Sequence, residues 1–257
     1  MIDQLNYATT PRYNFPQQAE NLEVANRFME LSLTSMESAK GLCLQSSLTE
    51  PQESLINSQY TGSITINPSG ISSHITPLKP IHDGTPIVAI DVSSIKIGET
   101  EIGVLCAVRG AVVWREGRRY RYFRVGPFPF HVTEDNKREI LNLLRFGDLS
   151  ISRSETPRLT DIHIRLCNLI ERWLQLLICQ SYYDSIILLD GSLTAGTMDN
   201  PVRSLLRLLK EARARLNSVL AISKATNVRI FGRRITEFLS KHKPPCILRI
   251  DWSPASS

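Results

Sequence analysis

Two aspartates, far apart in the chain, each stand at the end of an apolar segment that has the character of a β-strand. Asp91 follows the run IVAI and precedes VSS, and Asp190 follows IILL and precedes Gly191. The carboxyl ends of strands in an open α/β sheet face its functional crevice. Two carboxylates brought together there repel each other unless one is protonated or a cation lies between them. Oxygen ligands of this kind predict Mg²⁺ or Mn²⁺ rather than zinc.

Small residues accompany both aspartates. Gly191 allows the backbone to turn sharply beside a bound ion, and Ser93 and Ser192 could ligate it or hold the carboxylates in place. The alternative is structural, because a single aspartate after a strand is more often a turn former.

A third acidic candidate lies on a long helix predicted from an N-cap at Thr160-Asp161 to about Cys179. With ~100° of rotation per residue, Glu171 falls on the side opposite Ile162, among apolar neighbours. A glutamate in such surroundings needs a cationic partner, either a metal ion or a neighbouring arginine. The main apolar stripe of this helix is expected to contain Ile162, Leu166, Leu169, Ile170, Trp173 and Leu177.

Positive charge concentrates near the C-terminus, where residues 199–250 carry 12 Lys and Arg against 3 acidic residues, within a net charge of +5. Arg203, Arg207 and Lys210 lie on one face of a predicted helix and could bind a phosphate backbone. Lys224 follows a predicted strand and could contact a scissile phosphate. Solvated surface positions explain each of these cations equally well when it is considered alone.

The segment WREGRRYRYFR alternates aromatic and arginine side chains. This alternation suits stacking on single-stranded nucleic acid. A half-exposed strand of a hairpin would show the same alternation without that function.

The order of predicted elements is that of an α/β fold with a mixed β-sheet flanked by helices. Residues 1–80 are predicted to be an accessory region, with a helix over 21–42 and a Ser-, Pro- and Gln-rich linker, and residues 81–257 a separate domain. Glycines predict breaks at Gly110 and at Gly126-Pro127. Strands are predicted over 85–93, 101–109, 111–115, 119–125, 184–189 and 219–223, and further helices over 133–146, 201–216 and 227–241; residues 246–250 form a last short apolar run.

Composition excludes several classes of protein. Hydrophobic residues make up 42% and charged residues 21% of the chain, which is typical of a globular protein, and the apolar runs are too short to span a membrane. The N-terminus does not have the basic start and apolar core of a secretory signal. The five cysteines never form a CxxC pair, so we expect a reducing, cytoplasmic location and no zinc site.

The segments AIDVSS, LIERWLQLL, LLDGSL and AISK, in this order, resemble those of the NurA nuclease family over residues 81–250. The resemblance implies an RNase H-like fold for the domain. It also implies that Asp91, Glu171 and Asp190 are the metal-binding carboxylates and that Lys224 contacts phosphate. The choice of Glu171 over Glu155 as the helix carboxylate rests on helix placement.

The same resemblance implies a manganese-dependent (or magnesium-dependent) nuclease that acts on single-stranded DNA and DNA ends. It further implies a homodimer that works with a HerA-type hexameric ATPase in DNA-end resection and repair. Family members continue with further aromatic and histidine residues, whereas this sequence stops at WSPASS, so we expect a shortened member in which Asp251 is a weak candidate for a fourth ligand.

Two other functions stay open at this point. The first is a catalytically degenerate subunit that binds DNA or a partner protein. The second, a phosphatase with Asp190 as its nucleophile, is disfavoured because the DxDxT pattern is absent.

Overall fold

The computed structural model describes residues 19–45, 75–81, 83–117, 119–143, 158–191, 193, 195, 201–223, 229–230 and 233–248. The chain divides into two compact units, one formed by residues 1–49 and 84–222 and the other by residues 50–83 and 223–257. In chain order the elements are α1 (Ala19–Glu37), β1 (Ile75–Pro77), β2 (Ile87–Glu99), β3 (Gly103–Glu116), β4 (Arg119–Thr133), α2 (Lys137–Leu143), α3 (Ile162–Ser181), β5 (Ile186–Asp190), α4 (Val202–Ala214), β6 (Ser218–Ile222), β7 (Arg229–Ile230), β8 (Arg233–Arg234), α5 (Ile235–Leu239) and β9 (Cys246–Leu248).

The first unit is built on a five-stranded sheet in the order β4-β3-β2-β5-β6. Strands β2, β3 and β4 form an antiparallel meander, while β5 and β6 continue the sheet in parallel with β2. The predicted α/β fold with a mixed sheet is therefore confirmed. The domain boundary predicted near residue 80 stays a prediction.

Strands β2 and β5 differ greatly in length. They pair in parallel from Ile87 with Ile186 to Ile90 with Leu189, and β5 ends one residue later at Asp190. Strand β2 continues to Glu99 with β3 on its other side. The sheet therefore has a step directly after the two aspartates.

Helix α3 covers one face of the sheet, which we call the covered face. Its predicted apolar stripe is confirmed, since all six residues from Ile162 to Leu177 are buried. Val88, Ile90, Ile187 and Leu189 of the two central strands belong to the same hydrophobic core. Burial of this apolar surface is the main stabilising contribution to the unit.

The two predicted glycine breaks are wrong, for different reasons. β3 runs through Gly110 because this glycine makes room for α3: a Cβ there would lie 2.5 Å from Cδ1 of Leu174. β4 runs through Gly126 to Thr133, and Gly126 has a φ of +82° beside the register shift between Val108 and Gly110. Glycine tolerates this conformation, which other residues rarely adopt.

The N-terminal helix belongs to the same unit as the sheet. Phe28 of α1 is fully buried, and its ring stacks on Phe128 at 5.8 Å between centroids and contacts Trp173 at 5.5 Å. The buried His131 of β4 forms hydrogen bonds through Nδ1 to the Ser38 hydroxyl and through Nε2 to the Thr100 hydroxyl. α1 is thus held by both apolar and polar contacts.

In the second unit β1 pairs with β9 in antiparallel orientation, as β7 does with β8. The single helix predicted over 227–241 is wrong at residues 229–230 and 233–234, which are strands, and α5 covers only Ile235–Leu239. In the described part of the chain no helix is long and apolar enough to cross a membrane.

Candidate active site

Asp91 and Asp190 occupy equivalent positions on adjacent parallel strands. Each directly follows the last residue pair joining β2 and β5, Ile90 with Leu189. Because successive side chains alternate between faces and neighbouring strands lie ~4.8 Å apart, the two carboxylates leave the sheet side by side. Both residues are exposed, on the face opposite α3, which we call the open face. The structure therefore brings together the two aspartates identified in the sequence.

The small residues near them have identifiable backbone and side-chain roles. Gly191 has a φ of +94°, and its N–H donates to the carbonyl oxygen of Ile222 at 3.0 Å, so the chain turns away from Asp190 at once. The hydroxyl of Ser93 accepts a hydrogen bond from Nε of Arg109 at 3.2 Å. Ser192 lies outside the described residues.

Glu171 is half-buried on α3 and is held by a neighbouring amide. Nε2 of Gln175 donates to Oε1 of Glu171 at 2.7 Å, and Oε1 of Gln175 accepts from Nη1 of Arg172 at 2.8 Å. Gln175 is itself buried, with 2% of its surface exposed. This chain of hydrogen bonds fixes the orientation of the Glu171 carboxylate.

Electrostatics link Glu171 to both aspartates. Burial raises the pKa of Glu171, the positive charge of Arg172 lowers it, and the negative charges of Asp190 and Asp91 raise it further. The net pKa is above the ordinary value of 4.5. The three carboxylates therefore lie within electrostatic reach of one another, although they come from opposite faces of the sheet.

Cys167 shares this environment but is not a nucleophile. Burial raises the pKa of its thiol to about 11, Ser94 lowers the pKa through a hydrogen bond, and Glu171 and Asp91 raise it. A thiol with this pKa stays protonated at neutral pH. It donates to the carbonyl oxygen of Val92 at 3.5 Å.

The residues fit a divalent cation in their chemistry. Their donors are carboxylate oxygens, the ligands that Mg²⁺ and Mn²⁺ prefer, and an ion would relieve the repulsion that raises the pKa of Glu171. Among the described residues, however, no three His, Cys, Asp or Glu side chains form a group that could hold a metal ion as they stand.

Replacing Glu171 by glutamine is expected to raise the melting temperature at pH 7 in metal-free buffer. Because the pKa of Glu171 is higher in the folded protein than its ordinary 4.5, the folded state loses stability relative to the unfolded state as the pH rises from about 4.5 through the folded pKa. The gain from the substitution should be largest above that range and should disappear well below pH 4.5, where the carboxyl is protonated in both states. Thermal unfolding of both proteins from pH 3 to pH 8 checks this expectation.

A matched control is Glu139→Gln at an exposed position of α2. Added Mn²⁺ should stabilise the natural chain more than the Glu171→Gln protein. If the natural chain and the Glu171→Gln protein melted at the same temperature at every pH, ionised Glu171 would not destabilise the folded protein.

The remaining residues predicted from the sequence either lie away from the two aspartates or are not among the described residues. Arg203, Arg207 and Lys210 are exposed on α4, which packs against α3, so this row lies beside the helix of the covered face rather than next to the exposed aspartates. The three side chains help to line a cavity of about 440 Å³ between α3 and α4. Lys224, Glu155 and Asp251 lie outside the described residues.

A groove on the open face contains residues that were not among the sequence candidates. It has a volume of about 950 Å³ and begins at Asp91. The alternation of arginine and aromatic side chains in the sequence was the available signal, but only the strand register shows that part of it lies beside an aspartate. We call this feature the arginine groove; its principal lining residues are Asp91, Ser93, Arg109, Ala111, Tyr122 and Arg124.

Comparison with known proteins gives a family but little structural detail. A family model described as the NurA domain matches residues 85–256. The crystal structure of the NurA nuclease from Sulfolobus solfataricus is 18% identical in sequence, with 65% of this chain and 56% of that chain covered and a TM-score of 0.36. This chain thus spans little more than half the length of that nuclease, and a structural similarity this low supports no conclusion. No curated protein matches the sequence significantly.

Proposed function

This chain belongs to the NurA family, and from that premise we propose that it is a divalent-metal-dependent nuclease that hydrolyses phosphodiester bonds in DNA. The observation that carries the proposal is the adjacent placement of Asp91 and Asp190 at the step between β2 and β5, with Glu171 in electrostatic reach. Clustered carboxylates repel one another, and such clusters are typical of hydrolases in which a bound divalent ion offsets the repulsion.

In the proposed mechanism Asp91, Asp190 and Glu171 would hold the metal. The chemistry that a divalent ion would supply there is activation of water at neutral pH and neutralisation of charge that develops on the phosphate. Gln175 orients the Glu171 carboxylate, and Gly191 clears backbone from the space next to Asp190. Arg203, Arg207 and Lys210 would bind the DNA backbone, and the phosphate contact expected of Lys224 stays a prediction.

The finer features of the function follow from family membership. We propose Mn²⁺ as the preferred ion, with Mg²⁺ as a substitute, and single-stranded DNA and DNA ends as substrates. The protein would act in DNA-end resection and repair as a homodimer together with a HerA-type hexameric ATPase. A cytoplasmic location agrees with the five cysteines, all of which are free.

The direct test is incubation of the purified chain with end-labelled single-stranded DNA in the presence of either Mn²⁺ or EDTA. We expect loss of full-length DNA with Mn²⁺ and none with EDTA. Equal degradation in both buffers would indicate a contaminating or metal-independent activity. Intact DNA in both buffers would contradict the nuclease function.

A second candidate is a non-catalytic subunit that binds DNA or a partner protein. It is favoured by the finding that the described carboxylates do not form a closed metal-binding group. Salt-sensitive DNA binding without metal-stimulated cleavage would select this function over the first.

A further inference from the structure

The arginine groove lies on the open face of the sheet, and one of the proposed metal ligands, Asp91, is among its lining residues. Its volume of about 950 Å³ is large enough for several nucleotides of an extended single strand. Side chains along the face are accessible, with Tyr122 45% and Val113 41% exposed. The groove is therefore a surface that a ligand can enter from solvent.

The strand register places a cation at a defined distance from the aspartates. Asp91 pairs with Ala111 of β3, and Ala111 pairs with Arg124 of β4. Asp91, Ala111 and Arg124 thus lie in one row across the sheet, and on the β5 side Asp190 directly follows the last β2–β5 pair, Ile90 with Leu189. With strands ~4.8 Å apart, Arg124 starts ~10 Å from Asp91, and only a methyl group stands between them.

A second arginine lies along the same groove. Arg109 pairs with Ser93, two residues beyond Asp91 on β2, and the Ser93 hydroxyl accepts one of the five N–H groups of its guanidinium. Two guanidinium groups against one carboxylate give the groove a positive balance at the end away from Asp190. Phosphate groups are the ligands that such paired, planar cations bind best.

An aromatic ring completes the set. Tyr122 lies on the same face of β4 as Arg124, and the guanidinium carbon of Arg124 is 5.2 Å from the centre of the tyrosine ring. This cation–π contact orients both side chains. Exposed aromatic rings between arginines on a sheet surface are suited to stacking unpaired bases, whose faces are hidden in a duplex.

We propose that the arginine groove binds single-stranded nucleic acid, with Arg109 and Arg124 on phosphates and Tyr122 stacked on a base. The groove leads the strand toward Asp91 and Asp190, so this inference rests on the proposed function for its purpose. Binding itself needs no metal and no cleavage. The groove can therefore be tested separately from the nuclease activity.

The experiment measures binding of a labelled oligo-dT of about 16 nucleotides, near the upper end of known site sizes, by fluorescence anisotropy in EDTA. The double variant Arg109→Gln/Arg124→Gln should bind about tenfold more weakly or worse. Its slope of log affinity against log salt should be smaller by ~1.4, since each phosphate contact to a single strand contributes ~0.7.

Tyrosine variants separate stacking from charge. Tyr122→Leu should weaken binding ~5- to 150-fold, because stacking contributes ~1–3 kcal/mol per base, and its salt slope should fall by much less than the ~1.4 expected of the double arginine variant. Tyr122→Phe keeps the ring and should bind like the natural chain. A fall of the salt slope with Tyr122→Leu as large as that of the double arginine variant would show that Tyr122 acts by holding the arginines and not by stacking.

The matched charge control is Arg27→Gln/Arg138→Gln, at exposed positions of α1 and α2. If this control weakens binding as much as Arg109→Gln/Arg124→Gln, the effect is one of overall charge and the groove is excluded. Preference for duplex over oligo-dT, or binding unaffected by the groove substitutions, would also overturn the inference. Groove-dependent binding by a chain that never cleaves DNA would leave the groove standing and remove only the proposed nuclease function.

Discussion

Asp190→Asn is expected to reduce Mn²⁺-stimulated cleavage of single-stranded DNA by about 10³-fold or more. The substitution removes one of the proposed metal ligands, and metal-ion catalysis contributes several kcal/mol of transition-state stabilisation, where each ~1.4 kcal/mol is a factor of ten in rate. The fold should be unaffected, because the side chain is exposed and asparagine keeps its size, while the loss of its negative charge relieves repulsion with Glu171. Initial cleavage rates and thermal melting of the same preparations measure both effects.

The control for Asp190→Asn is Asp184→Asn, a substitution just before the N-terminal end of β5. Asp184 is exposed and has a φ of +44°, which asparagine tolerates as well as aspartate does. The control protein should cleave DNA at the natural rate. Full activity of the Asp190→Asn protein would eliminate Asp190 as a ligand, and a fall in its melting temperature would point to a structural role instead.

Phe28→Ala is expected to lower the free energy of unfolding by about 3–5 kcal/mol, the usual effect of truncating a fully buried aromatic side chain. Phe28 loses its stacking on Phe128 and its contact with Trp173, both in the core of the first unit. The reason for choosing this residue is its position in α1, which comes before the segment matched by the family model. Urea unfolding followed by tryptophan fluorescence measures the change.

Leu33→Ala on the same helix provides the comparison. Leu33 is 60% exposed, and such surface substitutions usually change stability by less than about 0.5 kcal/mol. If Phe28→Ala also has so small an effect, α1 does not stabilise the sheet. A large effect would establish that a fragment starting at residue 85 lacks part of its core.

The sheet and its central carboxylates could be predicted from the sequence, because buried strands and helices leave simple patterns of apolar residues. Strands β2 and β5 appear as short apolar runs that end in aspartate, and α3 has a continuous apolar stripe. The carboxyl ends of strands in an open α/β sheet face one crevice, so the sequence raised the possibility that Asp91 and Asp190 meet, but only the strand order shows that β2 and β5 are neighbours. The position of Glu171 near the aspartates was harder to predict. Helical spacing gives the face of α3 on which Glu171 lies, but it does not give the residues that this face meets.

Other features depend on tertiary contacts that a sequence does not display. Gly110 resembled a strand break, but its lack of a side chain serves the close approach of Leu174. The arginine groove depends on the register between β3 and β4, which shifts between Val108 and Gly110. A one-residue change in that register would move Arg124 to the other face of the sheet, so alternation alone could not place it beside Asp91.

The step between β2 and β5 has a consequence for how the two layers of the protein can cooperate. In a continuous sheet the hydrogen-bonded backbone separates the side chains of one face from those of the other. Because β5 ends at Asp190, there is an opening in the sheet beside β2. Next to this opening the thiol of Cys167 on α3 donates a hydrogen bond to the carbonyl oxygen of Val92 on β2. Side chains from opposite faces of the sheet can approach a common ligand through this opening, which a β5 of full length would close.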